Sequence, residues 1–299
     1  MKSMSLKAVI AAIFCNLLFG SAFPMIKLGY EYFSISEDVF SKILYAGIRF
    51  FISGIAVAAF AFATKKKFPT VSKKNSLRVF ALALTYTFLQ YIFFYVGLSN
   101  TSGAVGSIVN SSSVFMAVIA AHFIYKDDKL DAKKSLGSLI GFIGVTVACF
   151  AKGGFDSFSL SGEGFVLLAS LFYVIGSIVN KSSAQIDGSL TVSVYNLLIG
   201  GALLIAVGIL GHGKIAVTPL GVLILLYLVC VSAIGFTLWS SLLKKYPIGK
   251  LSVYSFIIPV SGSVLSAVFL GESILSWRYI IALLLVAAGI IIVNHGKAK

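Results

Sequence analysis

The chain has 299 residues, 59% hydrophobic and only 11% charged. A soluble domain carries roughly 25% charged residues and must cover its surface with polar groups, so a soluble globular protein is excluded and lipid is the expected solvent. The formal charge of +14 sits in short gaps between long apolar runs, which reads as a topology signal against anionic lipid, with no nucleic-acid partner expected.

A bilayer crossing needs about 20 mostly apolar residues. Ten stretches qualify: 6–27, 39–63, 79–98, 102–124, 135–151, 163–182, 190–210, 218–241, 249–270 and 277–294. The expected fold is an all-α integral membrane protein of ten transmembrane helices. The first run carries Pro24 and has no small-x-small site before polar sequence, so it reads as a retained span and not as a removed signal. Cys15, Cys149 and Cys230 fall inside apolar runs without CxxC or Cys/His spacing. They read as small hydrophobes, and neither a metal nor a cofactor is expected.

With the N-terminus in the cytoplasm, 18 Lys and Arg fall on the cytoplasmic side and 5 on the other, with Arg49 inside a span. That asymmetry follows the positive-inside rule. An even number of spans returns the C-terminus to the cytoplasm.

Weak self-similarity divides the chain. At a shift of 145, Asp127 matches Glu272, Leu130 matches Leu275, Lys133 matches Arg278 and Gly144 matches Gly289. At a shift of 154, Phe19…Lys27 echoes Tyr173…Lys181. Both place the split after the fifth helix, giving halves 1–153 and 154–299. Five is odd, so the second half enters from the opposite side and its helices run in the opposite sense. Two inverted five-helix repeats are the expectation, an arrangement common among secondary transporters.

Several motifs are specific enough to quote. The first span holds Phe19-Gly20-Ser21-Ala22-Phe23 with Lys27 beyond it; the second holds Arg49-Phe50. The third and fourth join through Tyr95-Val96-Gly97-Leu98-Ser99-Asn100-Thr101-Ser102-Gly103-Ala104. The ninth holds Pro259 and ends Leu270-Gly271-Glu272. Together these resemble the drug/metabolite transporter superfamily, and within it the EamA-type ten-helix transporters, over essentially the whole chain. Two positions depart from the pattern. Asn110-Ser111-Ser112-Ser113-Val114 has no proline, and Tyr125-Lys126-Asp127-Asp128 stands where Leu-Gly-Glu would.

The resemblance implies two EamA-like repeats and a secondary transporter of a small organic metabolite, such as an amino acid, an amine or a related amphipathic solute. It implies alternating access, export as the expected direction, and a cavity lined by helices 1, 3, 4, 6, 8 and 9. The expected setting is the plasma or inner membrane, with lipid and the solute as partners and a monomer or homodimer as the assembly. A facilitative channel is the alternative, but it would need a repeated polar filter. An intramembrane enzyme would need a GxSG, GxGD, HExxH or Asp-rich constellation, and no span carries one.

A polar group inside a span costs free energy unless it is paired or faces a water-filled cavity. The substrate-binding candidates follow from this: Asn16 and Phe19; Tyr86, Gln90 and Phe94, spaced i, i+4, i+8 on one face; Asn110 and Ser113, with Ser111 beside them; Tyr173 and Ser177; Trp239; Tyr254 and Ser255. For each, bonding or close packing between helices is the competing reading. Pro259 removes a backbone hydrogen bond and is the expected kink or gate; a plain structural bend is the other reading. Arg49 lies deep in the second span. It either receives a substrate carboxylate or links to carbonyls of another helix, and the resemblance favours the link.

Lys27 is expected to snorkel, His122 to be interfacial, and Asp127 and Glu272 to pair with bases or cap the next helix. No acid falls at a span centre, so exchange or facilitated diffusion fits as well as proton coupling. A permanent cation as substrate would need cation–π contacts. In the expected mechanism helices three and four rock with eight and nine, with Gly97, Gly103, Gly106, Gly249 and Gly262 giving close packing or flexibility.

Overall fold

The computed structural model describes residues 4–35, 38–66, 68–124, 130–149, 158–246, 251, 253–273 and 276–294. Among these residues every regular element is a helix. Asp127 and Gly249 lie outside them.

Helix α1 (Leu6–Tyr32) starts at Ser5, whose side chain accepts from the Ala8 N–H, and carries Pro24 within its length. Helix α2 (Val39–Lys65) is capped by Asp38, which accepts from the Phe40 and Ser41 N–H groups. The Ser41 hydroxyl also donates to that carboxylate and, with the two N–H groups, holds it below the usual carboxylate range. The third span is not one regular helix. Helix α3 (Lys73–Leu82) passes into a π-helical segment, Ala83–Leu89, and then into α4 (Gln90–Ser99). The fourth divides at Ser111 into α5 (Gly103–Asn110) and α6 (Ser112–Ile124).

Helix α7 (Ala132–Cys149) ends the first half. A π turn, Leu160–Gly164, leads into α8 (Phe165–Asp187). Gly188 alone connects α8 to α9 (Ser189–Leu210). Its φ of +87° is open to glycine and strained for other residues. Helix α10 (Pro219–Lys245) opens with proline at a position where no backbone donor is needed. A 3₁₀ turn, Val253–Phe256, precedes α11 (Ile257–Leu270), and α12 (Trp277–Asn294) closes the described chain.

Among the described residues eight helical spans are long and apolar enough to cross a membrane. The expected ninth and tenth spans are shorter apolar helices, Tyr254–Leu270 and Trp277–Val293. Seventeen residues reach about 26 Å, a little less than a typical hydrocarbon core.

The apolar residues face outward as well as inward. Leu6, Ile10, Phe14 and Leu17 form an exposed stripe on α1, as do Leu220, Leu223, Tyr227 and Ile234 on α10. Polar side chains are inside: Asn16, Asn75, Asn180, Asn196 and many serines are buried. The Thr87 hydroxyl donates to Asn196 Oδ1 at 3.0 Å, and the Ser240 hydroxyl to Asn180 Oδ1 at 2.9 Å. Such bonds join helices that have no hydrophobic drive to associate in lipid.

Small residues set the closest approaches. Helix α2 packs along α9, where a Cβ on Gly201 would stand 2.5 Å from Phe51 N and one on Gly47 2.6 Å from Ile205 N. Helix α7 packs along α12 in the same way. A Cβ on Gly137 would lie 2.7 Å from Gly289 O, and one on Gly289 would lie 2.6 Å from Gly137 O. The expected close packing is present at the four described glycines singled out from sequence: a Cβ would meet Ser266 Oγ on Gly103, Gly162 O at 2.9 Å on Gly97, Leu98 Cδ1 at 2.9 Å on Gly106 and Ser107 Cβ at 2.5 Å on Gly262.

Because backbone cannot yield as a side chain can, Gly289→Val should lower stability by about 1–3 kcal/mol through overpacking. Gly164→Ala, whose new methyl meets the flexible end of Leu160 at 3.0 Å, should change it by far less. Thermal unfolding in detergent checks both, and equal loss in the two variants would contradict the packing argument.

Candidate functional site

A cavity of about 1170 Å³, counted with its mouth, lies among the helices. Its wall comes from α1, α2, the π segment, α4, the α5–α6 break, α8, α10, the 3₁₀ turn and α11. Ten of the candidate residues line it: Phe19, Tyr86, Gln90, Phe94, Asn110, Ser113, Tyr173, Ser177, Trp239 and Ser255.

Three candidates do not. Asn16 is fully buried and donates to Ala12 O one turn earlier, at 2.7 Å. Tyr254 is not in the wall; it packs against the cluster of Ala8, Ala12 and Cys15 that also holds the lining residue Trp239. Pro259 sits in the first turn of α11, where its missing N–H costs no interior bond, and the change of helix geometry falls earlier, at Phe256–Ile257. The expected mid-helix kink at Pro259 is therefore corrected to a helix start.

The π segment explains a residue that period-3.6 counting misses. Tyr86 and Tyr91 are five apart and diverge on an α-helix, yet both line the cavity. A stretch of i→i+5 geometry brings such residues to one face. Phe236 lines it too, three residues before Trp239 on α10. It is apolar, so a search for buried polar groups passes over it.

Eight of the 23 lining residues are aromatic. Tyr86 stacks on Tyr173 with centroids 5.3 Å apart and meets Phe236 edge-on at 5.5 Å. Phe19 packs edge-on against both Trp239 and Phe236, at 6.3 and 6.2 Å. Phe23 and Phe94 pair at 5.3 Å. Gln90 stands among them, 6% exposed, and its Oε1 has no hydrogen-bond partner among the described residues.

Arg49 is 2% exposed and lines the same cavity. Its Nε donates to Leu228 O at 3.2 Å and Ser232 Oγ at 2.8 Å, and its Nη1 to Tyr95 Oη at 3.1 Å. The expected link to another helix is present, on α10, and it coexists with a place in the cavity wall.

At the end of the bundle where α4 turns into α5, four side chains from both halves meet. Lys27 Nζ donates to Thr101 O at 2.5 Å and stands 3.9 Å from Glu272 Oε1. Glu272 accepts from the Gly103 and Ala104 N–H groups at 2.7 and 2.9 Å, at the positive end of α5. Thr101 Oγ1 donates to Glu163 Oε1 at 2.5 Å, and Glu163 Oε2 accepts from Ser159 N at 2.9 Å.

Lys27 is drawn inward to a carbonyl and a carboxylate, which corrects the expectation that it snorkels. Glu272 pairs with a base, Lys27, as one of its two expected readings had it, and the helix it caps is α5, far away in sequence. His122 Nδ1 accepts from Leu130 N at 3.1 Å. The groups missed from sequence here are the backbone donors of Gly103 and Ala104, which no residue type announces.

The fold is that of a solved crystal structure, matched at a TM-score of 0.73 and 18% identity over 97% of this chain and 99% of that one. A "Probable amino-acid metabolite efflux pump" of Salmonella typhimurium is 25% identical over 296 residues, covering 95% of this chain and 94% of that protein. A protein of the same name from Escherichia coli is 24% identical over 295 residues, covering 94% and 93%. "Uncharacterized transporter YetK" of Bacillus subtilis is 25% identical over 236 residues, covering 77% and 71%. The EamA-like transporter family matches residues 6–150 and again 160–295, and with the apolar helices and the cavity between them this makes the chain a multi-pass membrane protein that belongs to the EamA-like transporter family.

Proposed function

We propose that this protein is a secondary transporter that moves a small amphipathic metabolite by alternating access, outward across the plasma or inner membrane. The solute binds among Phe19, Tyr86, Gln90, Phe94, Tyr173 and Trp239, with Asn110, Ser113, Ser177 and Ser255 around them. The observation that carries this reading is one cavity whose walls come from both halves of the chain, with a polar network joining those halves at one end. The two efflux-pump relatives support amino-acid metabolites as the solute class and export as the direction.

The framework for this motion is ten helices in two inverted repeats, 1–153 and 154–299, with both termini cytoplasmic. A two-fold axis brings equivalent elements against each other. Three packed pairs fit that rule: α2 with α9, α7 with α12, and α5 with α11, the second, fifth and fourth spans against the seventh, tenth and ninth. The duplicated family match supports the same division. In this framework the Lys27–Glu272–Glu163 network is the closed extracytoplasmic gate, and its opening lets the solute leave.

Reconstituted into liposomes, Gln90→Ala and Trp239→Ala should each slow transport at least about tenfold, the loss of one good contact, with the unfolding midpoint nearly unchanged. Unchanged transport in both would reject the site. Lys27→Ala should loosen the gate. In a chain freed of native cysteines, a cysteine at Phe94 should then react faster with an impermeant thiol reagent added from the Glu272 side. Equal rates in the two backgrounds would reject the gate.

A further inference from the structure

The charge inventory of the cavity narrows the class of solute. Among the described residues lining it, Arg49 is the one with a charged side chain, and no carboxylate lines it. A guanidinium has five N–H donors. The Nε–H is shared between Leu228 O and Ser232 Oγ, and one Nη1–H goes to Tyr95 Oη. That leaves one N–H on Nη1 and two on Nη2 without a protein acceptor among the described residues.

Those three bonds also hold the guanidinium in place. Tyr95 is itself held, with its carbonyl accepting from the Tyr30 hydroxyl at 2.8 Å. Phe50 stands under the guanidinium, at 5.0 Å from carbon to ring centroid. A side chain so constrained presents its remaining donors in a fixed fork, the geometry that matches a carboxylate. A charge removed from bulk water and left without a counter-ion is costly. An arriving anion offsets that cost, while a cation adds to it by like-charge repulsion in a low-dielectric space.

From these observations, and resting on the transport reading above, we infer that the solute is an organic monocarboxylate with an apolar or aromatic body, its carboxylate received by Arg49. The body lies against the aromatic wall. Gln90, whose Oε1 is buried without a partner, accepts a hydrogen bond from an N–H or O–H donor elsewhere on the solute. An amine lacking a carboxylate is a poor ligand, because no acidic side chain among the described lining residues pairs with an ammonium.

The test uses three probes of one shape and different charge: 3-phenylpropionate, 3-phenylpropionamide and 3-phenylpropylamine. Each is titrated into the purified full chain, with thermal unfolding as the readout, since a ligand of the folded state raises the midpoint. The anion should half-saturate the shift at a concentration at least about tenfold below the amide, and the amine should give none. Arg49→Lys keeps a charge without the fork and should weaken the anion while preserving the order. Arg49→Gln should bind the anion no better than the amide. If that variant does not fold, the wild-type series and Arg49→Lys still decide.

A wild-type protein that binds the amide or the amine as well as the anion overturns the inference, as does one that responds to none of the three at millimolar concentration. Neither result touches the transport reading. That reading fails separately, if liposomes carrying the protein move no solute from a broad metabolite panel.

Discussion

Lipid offers no acceptor for a polar group and no reward for pressing one apolar surface on another. A bundle in that solvent is held by close backbone contact and by polar bonds turned inward. The structure follows this constraint throughout. Glycines bring α2 to α9 and α7 to α12 until a single methyl would collide with backbone. Bonds such as Thr87 to Asn196, Ser240 to Asn180 and Arg49 to Ser232 cross between helices in the interior. Arg49 is the sharpest case. One cation ties α2 to α10 and α4, and the same cation faces the cavity. The anchoring of that helix and the electrostatics of the cavity cannot be varied independently.

The constraint also decides where the backbone can be irregular. In hydrocarbon a helix can be broken only where protein or a cavity takes up the released groups. Four stretches depart from α geometry, at Ala83–Leu89, at Ser111, at Leu160–Gly164 and at Val253–Phe256. Three of them contribute a residue to the cavity wall, Tyr86, Ser111 and Ser255, while Leu160–Gly164, at the opening of α8, does not. The Ser111 hydroxyl returns a bond to Ser107 O at 3.2 Å. Serines thus serve the fourth span where a proline would otherwise mark a break.

The helices themselves were readable because hydropathy reports burial in lipid directly, residue by residue. So was most of the aromatic wall, because Tyr86, Gln90 and Phe94 keep helical spacing and a glutamine inside a span must find either a bonding partner or a cavity. What was not readable depends on geometry that residue type does not encode. Tyr91 joins the wall only because a π segment turns it there. Asn16 was a fair candidate by chemistry, yet it lies outside the cavity wall and its amide N–H bonds one turn back on its own helix. Glu272 was placed correctly at a helix end, but its partners are backbone N–H groups about 170 residues earlier. No periodicity connects those positions. Charge in the cavity was half readable: Arg49 stood out as deep, and whether it served the helices or the solute turned on how many of its donors the helices use.

The position of each polar bond along the bundle separates contacts that hold from contacts that can open. A bond buried mid-span has no substitute when it breaks, because hydrocarbon cannot solvate its partners. The Thr87–Asn196 and Arg49–Ser232 bonds are of this kind, and they fasten the third span to the seventh and the second to the eighth. The bonds of Lys27, Thr101, Glu163 and Glu272 lie instead where helices end and chain turns. Water there can replace each one, so separation costs the difference between two solvated states and not a bare loss. On the transport reading, this places motion in the fourth and ninth spans against a fixed remainder. The third span, bonded to the seventh at its centre, belongs on that reading to the fixed remainder.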